Sequence, residues 1–429
     1  MPISYIIQNS SPYFNDGNFS NLADEYSKNI MMNRLGQIYF GYISGTSLNN
    51  PTTNQHNTIS MSGDGGQTWT QKVNTTVLAA SILYSSPYVI RADSYTHYFN
   101  AFVAGTLHGK KDIEYCTIWH ELTSFNNSDY WCVSGQCCID SNDTMNLIIN
   151  HGASSGDPHT GEIWLLTNTE NTWGIPEAIR AGDGYGHRSD VFIDASNNIH
   201  VFYTKSTDSY SAAYCKYRAR INGTWGSVET VFSGSYSMGI TSQSIIVDSD
   251  GNIHFAWSTA SAFNPWPTIL YYRVKKSDTS WEIATTIVNG TVNLYYPSGA
   301  RLSLDLNNNI YLSWNGKDYG TYTTKQQIIY RRRLSGLGSW DSDVLVTNEN
   351  INHKNIAQLG NKKFPYQNIP TSGCAGVYST GSLTYYSLSG TPIIYYWKSD
   401  DFQSQIAPPG HVLCLGEVMI EEPLNFYTR

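Results

Sequence analysis

Six tryptophans, each just after a short polar turn, recur along this chain at Trp69, Trp131, Trp173, Trp225, Trp281 and Trp340, separated by 62, 42, 52, 56 and 59 residues. A period of that length marks one supersecondary unit repeated and stacked, because a unit this small cannot bury its own apolar face. A second element keeps step with the first. Asp194-Ala-Ser-Asn-Asn-Ile-His200, Asp248-Ser-Asp-Gly-Asn-Ile-His254 and Asp305-Leu-Asn-Asn-Asn-Ile-Tyr311 share one frame, 54 and 57 residues apart. Weaker copies fit at Asn33–Tyr39, Arg91–His97, Asp140–Asn146 and around Tyr378–Leu383, which brings the count to seven.

Each repeat reads as four strands. The β-rich run Ser244–Asp248 enters a turn of Asp, Asn and Gly, residues that bond their own backbone or tolerate positive φ. Ile253-His-Phe-Ala-Trp257 then alternates as a two-faced strand does. A loop leads to a third strand, Ile269–Val274, and the Trp turn to a fourth, Trp281–Val288. Four strands in about 40 to 60 residues make a propeller blade. With 14% charged residues, 14% aromatics and no sustained helical period, the chain suits strands and tight turns rather than helices. The expectation is all-β: a single seven-bladed β-propeller of four-stranded antiparallel blades over residues 1–399, with six blades as the alternative. Residues 400–429 form a C-terminal tail or closing strand. Ring closure is assigned to the N-terminal run Ile3–Ile7, since pairing it with the last blade removes two exposed sheet edges; closure by the tail is the other solution.

The formal net charge is −8, and the longest basic run is Arg331–Arg333, read as solvated blade surface. Nucleic acid is therefore excluded as a partner. No stretch of eighteen apolar residues occurs, so membrane insertion is not expected, and Met1-Pro-Ile-Ser-Tyr5 lacks the features of a signal peptide. The seven cysteines, with Cys132, Cys137 and Cys138 near Cys116, match no paired C-x-x-C ligand pattern. They read as reduced structural thiols, with no metal and no cofactor. The Asn- and Tyr-rich composition points to a virion or an extracellular surface, with 400–429 as an assembly contact.

Ser62-Gly-Asp64-Gly-Gly66-Gln-Thr68-Trp69 closely resembles the Asp box S-x-D-x-G-x-T-W of the sialidase-like β-propellers, the BNR-repeat superfamily. Tracing the strands of a blade puts both repeating turns on one side of the ring, so Ser62, Asp64, Gly66 and Trp69 are scaffold. The opposite side carries the loops that differ between blades, which is where a site belongs. Those loops include His108–Lys111, His151–His159, Gly182–Arg188, Asp208–Tyr210, Phe263–Trp266, Lys317–Tyr319 and Asn350–Lys354. Aromatics among Asn, Asp, His and Lys suit sugars, whose ring faces stack while their hydroxyls hydrogen-bond. Tyr185, Tyr236, Trp266, Tyr295, Tyr296 and Tyr319 are the candidate ligand-binding residues.

The resemblance to sialidases implies three arginines on a carboxylate, a Tyr–Glu nucleophile pair and an Asp acid/base. This chain departs from that pattern: the early Arg-Ile-Pro motif is absent, and only Arg188 and Arg301, with Asp190 in the frame of Arg301, could face the centre. Gly186-His-Arg-Ser-Asp190-Val-Phe-Ile-Asp194 followed by Asn198–Tyr203 also looks like blades of seven-bladed polysaccharide lyases. That resemblance implies β-elimination with His and Tyr as base and acid and an Arg on the uronate. Tyr185, His187, Arg188 and His151 are then the catalytic candidates, whereas His200 and His254 belong to the repeat. The function expected from these features is a non-catalytic recognition or adhesion module that binds a glycan or protein on its variable loops. The alternative is a carbohydrate-active enzyme, either a polysaccharide lyase or a sialidase-like hydrolase.

Overall fold

A computed structural model describes residues 3–8, 30–32, 36–45, 55–76, 95–102, 105–112, 117–121, 132–142, 144–151, 162–169, 172–175, 177–179, 185–206, 214–234, 238–261, 264–290, 297–336, 338–361, 369–384, 387–389, 394–403, 413–415 and 418–420. Every element among them is a strand. The strands form seven antiparallel sheets that follow one another along the chain, and a separate ribbon of Leu413–Leu415 with Val418–Ile420. The first sheet is Ile30–Met32, Ile38–Gly45, Gln55–Ser62 and Thr70–Thr76; the second is Tyr95–Phe102, Gly105–Asp112 and Thr117–Glu121. The third contains Cys132–Ile139, Met145–His151, Glu162–Thr169 and two short outer strands at Thr172–Trp173 and Glu177–Ala178. The fourth contains Tyr185–Ile193, Ile199–Ser206, Tyr214–Ile221, Thr224–Trp225 and Glu229–Ser233. The fifth is Met238–Val247, Ile253–Ser261, Asn264–Lys275 and Thr285–Asn289; the sixth is Ser298–Leu304, Ile310–Gly316, Gln327–Arg333 and Val344–Leu345. In the seventh, Asn352–Gln358, Ala375–Thr384 and Ile394–Lys398 are followed by the N-terminal strand Ile3–Gln8, which pairs with Ile394–Lys398.

The Asp/Asn turn is built by its own side chains. Asp248 Oδ1 accepts from the backbone N–H of Asp250 (3.0 Å) and Asn252 (2.8 Å), while Oδ2 accepts from Asn252 Nδ2 (2.9 Å). Asn252 Oδ1 then accepts the N–H of Ser277, in the Trp turn of the same sheet, at 3.1 Å. Asn198 holds Asn222 N–H in the same way (3.0 Å), and Asn309 holds Ser335 N–H (3.2 Å). Both repeating turns therefore lie at one end of each sheet, the turn side, and the remaining connections lie at the other, the loop side. Turns of successive sheets are also tied, by Ser141 N–H to Asn197 Oδ1 (2.9 Å) and Ser249 N–H to Asn308 Oδ1 (3.1 Å).

Apolar cores lie between sheets. Cys138, Ile148, Ile163 and Leu165 of the third pack against Val191, Ile193, Val201 and Tyr203 of the fourth. Phe202, Phe255, Trp257, Leu302 and Trp314 continue the core through the fourth, fifth and sixth. Tyr330 and Tyr378 belong to the core between sixth and seventh. Ile38 and Phe40 of the first sheet share a core with Val377 and Tyr396 of the seventh. Trp69 lies 5.5 Å from the Tyr396 ring, and Gly66, at φ 91°, leaves no room for a Cβ against that ring. Only glycine combines that φ with that approach.

The Trp turn reaches the preceding sheet. Trp225 Nε1 donates to Glu177 (3.0 Å) and Trp281 Nε1 to Glu229 (3.2 Å). An arginine of the third strand does likewise in the fourth, fifth and sixth sheets: Arg218 donates to the carbonyl of Ile179, Arg273 to Val231, and Arg331 to Ile287. Arg273 also stacks on Trp281, 4.6 Å from the ring centroid. This repeating arginine corrects the reading of Arg331–Arg333 as solvated surface. Arg331 and Arg333 reach the fifth sheet, at Ile287 O and at Tyr272 and Glu282, while Arg331 also pairs with Asp343 and Arg332 with Asp341, both just after Trp340 in the sixth sheet's own turn, and with Asp401.

Three more expectations are corrected. Tyr378–Leu383 is the interior of a strand rather than a turn, and the seventh connection leaves Gln358 instead, with Leu359 N–H bonded to Ala375 O (2.8 Å). His108–Lys111 lies within Gly105–Asp112, and Trp266 within Asn264–Lys275, so neither is a loop. The fourth strand of the fifth sheet starts at Thr285, because Trp281 makes an isolated bridge to Lys275 and Glu282 N–H then turns back onto Val274 O (2.9 Å). Trp131 lies outside the described residues. The tail begins on the turn side, where Thr371 N–H donates to Gln403 O (2.8 Å) and Phe402 joins the core of the first and seventh sheets.

Candidate functional site

Four of the candidates lie at loop-side strand ends of the third and fourth sheets. Met145–His151 ends there at His151, opposite Glu162 and Cys132. Tyr185–Ile193 starts there, with Tyr185 opposite Ser206, Gly186 opposite Lys205 and His187 opposite Thr204. The register slips between His187 and Ser189, so Arg188 is the extra residue of a β-bulge. Bulges re-aim side chains and are over-represented beside active sites.

Lys205 lies at the same mouth. Only 8% exposed, it holds its Nζ 5.9 Å from the centroid of Tyr214, and Lys216 holds its own 5.2 Å from the same ring. Tyr203, two residues before Lys205 and so on the same face of the strand, packs against Ile148 and Leu165 of the third sheet. Lys205 and Tyr214 thus occupy the face of the fourth sheet that adjoins the strand ending at His151. Sequence reasoning passed over Lys205. Its signal was a lysine at the loop-side end of a second strand, set against Ala260 and Asn315, which lie opposite Gly239 and Ser298 at the corresponding strand starts.

Asp190 and Arg301 do lie in one frame, opposite Phe202 and Ser313, but they serve the core. Asp190 is fully buried and accepts two backbone N–H groups, from Val191 and from Ile245 of the next sheet, each at 3.0 Å. Ser244 repeats the device, accepting Leu302 N–H at 2.9 Å. Arg301, 3% exposed, donates to Ala300 O at 2.8 Å.

The histidines of the repeat are likewise framework. His254 lies between Tyr272 Oη (2.6 Å) and Asp248 Oδ2 (3.1 Å), and His200 between Tyr217 Oη (2.9 Å) and Asp194 Oδ2 (3.4 Å). Tyr311 stands in the same place in the sixth sheet and donates directly to Asp305 (3.0 Å). Burial works against ionisation of Asp194 and Asp248, but the hydrogen bonds from His and Asn outweigh it and hold both carboxyls below the usual range. In the Ser62–Trp69 turn, Ser62 Oγ accepts Gly66 N–H (2.8 Å), Asp64 accepts Thr68 N–H (2.9 Å) and Thr68 Oγ1 (2.6 Å), and Trp69 Nε1 donates to Gly66 O (2.9 Å). Slight burial opposes ionisation there too, and the bonds from Thr68 and Ser62 bring the Asp64 pKa down to about 2.

Of the aromatic candidates, Tyr236, Tyr295 and Tyr296 lie outside the described residues. Tyr319 is half-buried and packs edge-on against Trp314, 6.5 Å between centroids. His353, expected in a loop, is the second residue of the strand Asn352–Gln358, opposite Thr380. It is fully buried, neither ring nitrogen has a hydrogen bond, and the Glu349 carboxylate lies 3.6 Å from Nε2. Burial lowers its pKa to about 4. Cys138, Cys215 and Cys374 are buried, and burial pushes the pKa of Cys215 and Cys374 up. No group of three or more His, Cys, Asp or Glu among the described residues could hold a metal ion, and no helix among them is long and apolar enough to cross a membrane.

No family model matches the chain, and no curated protein matches it by sequence. Solved structures do match it. The polysaccharide lyase Uly1 superposes with a TM-score of 0.57 at 9% identity, over 91% of this chain and 92% of that one. An ulvan lyase with a bound GlcA–Rha3S saccharide gives 0.55 at 13% identity, over 90% and 98%. A protein of unknown function from Dyadobacter fermentans gives 0.50 at 8% identity, over 94% and 98%. At these identities the likeness is one of fold, and with the serial four-stranded sheets it makes the chain a β-propeller of the kind found among glycan-active proteins.

Proposed function

We propose that the chain is a seven-bladed propeller, closed by its N-terminal strand, that acts on an anionic polysaccharide as a lyase at the mouth between its third and fourth blades. What supports this reading is that His151 ends a strand of the third sheet, and Tyr185, His187, Arg188 and the nearly buried Lys205 lie at strand ends of the fourth, all on the loop side. A polysaccharide lyase and an ulvan lyase of like fold support the substrate class. The sialidase-like alternative loses ground, because Asp190 and Arg301 are occupied in the core.

β-Elimination needs a base for the proton α to a uronate carboxylate, an acid for the leaving glycosidic oxygen, and positive charge on the carboxylate as the enolate develops. His187 or His151 takes the C5 proton. The C5–H electron pair becomes the C4–C5 double bond, the C4–O bond breaks, and Tyr185 protonates the departing oxygen. Arg188 and Lys205 neutralise the carboxylate. Lys205 suits this role because its ammonium sits where little water competes for it. Recognition without turnover, as an adhesion module on a virion or cell surface whose residues 400–429 contact an assembly, is the reading that a binding-only result would restore.

The test is ultraviolet detection of unsaturated products from uronate polymers. His187→Ala should lower turnover by about 10²-fold or more, the range of general-base catalysis. Lys205→Ala should raise KM more than it lowers kcat. Retention of polymer with no unsaturated product would refute the lyase reading.

A further inference from the structure

The sixth sheet carries a second surface on the loop side, built from the connection 317–325 and the crossing 347–352. Both are held rigidly. Asp318 N–H bonds to Thr323 O and Lys325 N–H to Tyr322 O, each at 3.0 Å, and Asp318 adopts φ 62°. Asn348 grips Thr321 at both ends of its amide, accepting the backbone N–H (2.8 Å) and donating to Oγ1 (3.2 Å). Gly320, at φ 65°, makes this grip possible, since a Cβ there would lie 2.5 Å from Asn348 Oδ1. Beneath, Gln327 donates to Glu349 O (2.8 Å) and accepts from Thr347 Oγ1 (2.9 Å), and Asn352 Oδ1 accepts Gln326 N–H (3.0 Å).

Each of these two segments presents one exposed apolar side chain among polar ones. Tyr322 is 37% exposed and Ile351 38%, while Thr321, Thr323, Thr324 and Asn350 around them are exposed. The charges of the two segments cancel, Lys317 and Lys325 against Asp318 and Glu349. The mouth between the third and fourth sheets differs in kind, since Arg188, Lys205 and Lys216 give it a cationic character.

We infer that this platform binds neutral sugar units of a polysaccharide, with the Tyr322 ring against a sugar face and the Thr321 and Asn350 side chains on its hydroxyls. A rigid surface loses little entropy on binding, which suits a weak accessory contact. Two such contacts on one polymer raise its effective concentration at the first site. The inference rests on the reading of the loop side as glycan-facing.

Affinity electrophoresis of the full chain in gels cast with xylan or galactan, which are neutral, and with polygalacturonate, which is anionic, tests it. Tyr322→Ala should weaken retention on at least one neutral polymer about tenfold, the scale of one stacked ring, while Tyr322→Phe retains it and neither variant alters the thermal midpoint. Retention of the wild-type chain by no neutral polymer, or equal retention of wild type and Tyr322→Ala, would overturn it. Lys205→Ala reports separately on the other site. Loss of retention confined to Tyr322→Ala, with no unsaturated product from any polymer, would leave the platform standing and remove the lyase reading.

Discussion

His353 predicts an acid sensitivity that can be worked out in advance. Its side chain is fully buried with both ring nitrogens unbonded, and burial lowers its pKa from 6.5 to about 4. Between those values the unfolded chain binds a proton that the folded chain does not, so acid favours unfolding. The contribution is fully present above pH 6.5 and is lost as the pH falls through about 4. At about 1.4 kcal/mol per pH unit the whole span corresponds to about 3 kcal/mol, and the part accessible between pH 7 and pH 5 to about 2 kcal/mol. The Glu349 carboxylate at 3.6 Å faces the ring from the connection that precedes the strand, and its favourable pull on an imidazolium trims the figure. The Tyr378 ring, 5.2 Å away in the adjoining strand, has no charge to offer. The assay is urea unfolding, followed by tryptophan fluorescence from pH 7 to pH 4.5, of wild type and His353→Phe. Other titrating groups cancel in the difference, so wild type should lose about 2 kcal/mol relative to the variant by pH 5. Parallel curves would refute the reasoning, because they would mean that His353 is protonated alike in both states.

Other outcomes follow from the repeat. Asp64→Asn should cost about 1 kcal/mol at pH 7 after allowance for solvent screening. Because the folded pKa is depressed to about 2, that cost should hold above pH 4 and vanish as the pH falls through 2, read as the difference in thermal midpoint. Arg273→Ala removes the bond to Val231 and the stack on Trp281; it should cost about 2 kcal/mol, and Arg273→Lys should recover only part, since lysine cannot bridge and stack at once.

At the site, legibility in the sequence followed chemistry that repeats or conspicuously fails to. His151, Tyr185, His187 and Arg188 stood out because no other repeat carries them in those positions, and the strand registers put them at loop-side strand ends of successive sheets. Lys205 and Tyr322 did not stand out, because a lysine near a strand end and a tyrosine in a threonine-rich loop are ordinary in sequence. Their burial and exposure are products of packing. Asp190 and Arg301 were overvalued for the same reason: their shared frame was readable, but the backbone amides that occupy Asp190 belong in part to a residue 55 positions away.

By itself the sequence determined the architecture of the repeat. The period of Trp turns and the Asp/Asn frame are local signals, and turn chemistry is satisfied within a few residues, as Asp248 with Asn252 demonstrates. Even the side of the sheet on which the turns lie followed from counting strands. The tertiary structure alone decided what joins one sheet to the next. The third-strand arginines Arg218, Arg273 and Arg331, the Glu177 and Glu229 acceptors of Trp225 and Trp281, and the N-terminal strand beside Ile394–Lys398 make contacts between distant residues, and their worth depends on burial. Burial is a property of the assembled sheets, and no window of sequence contains it.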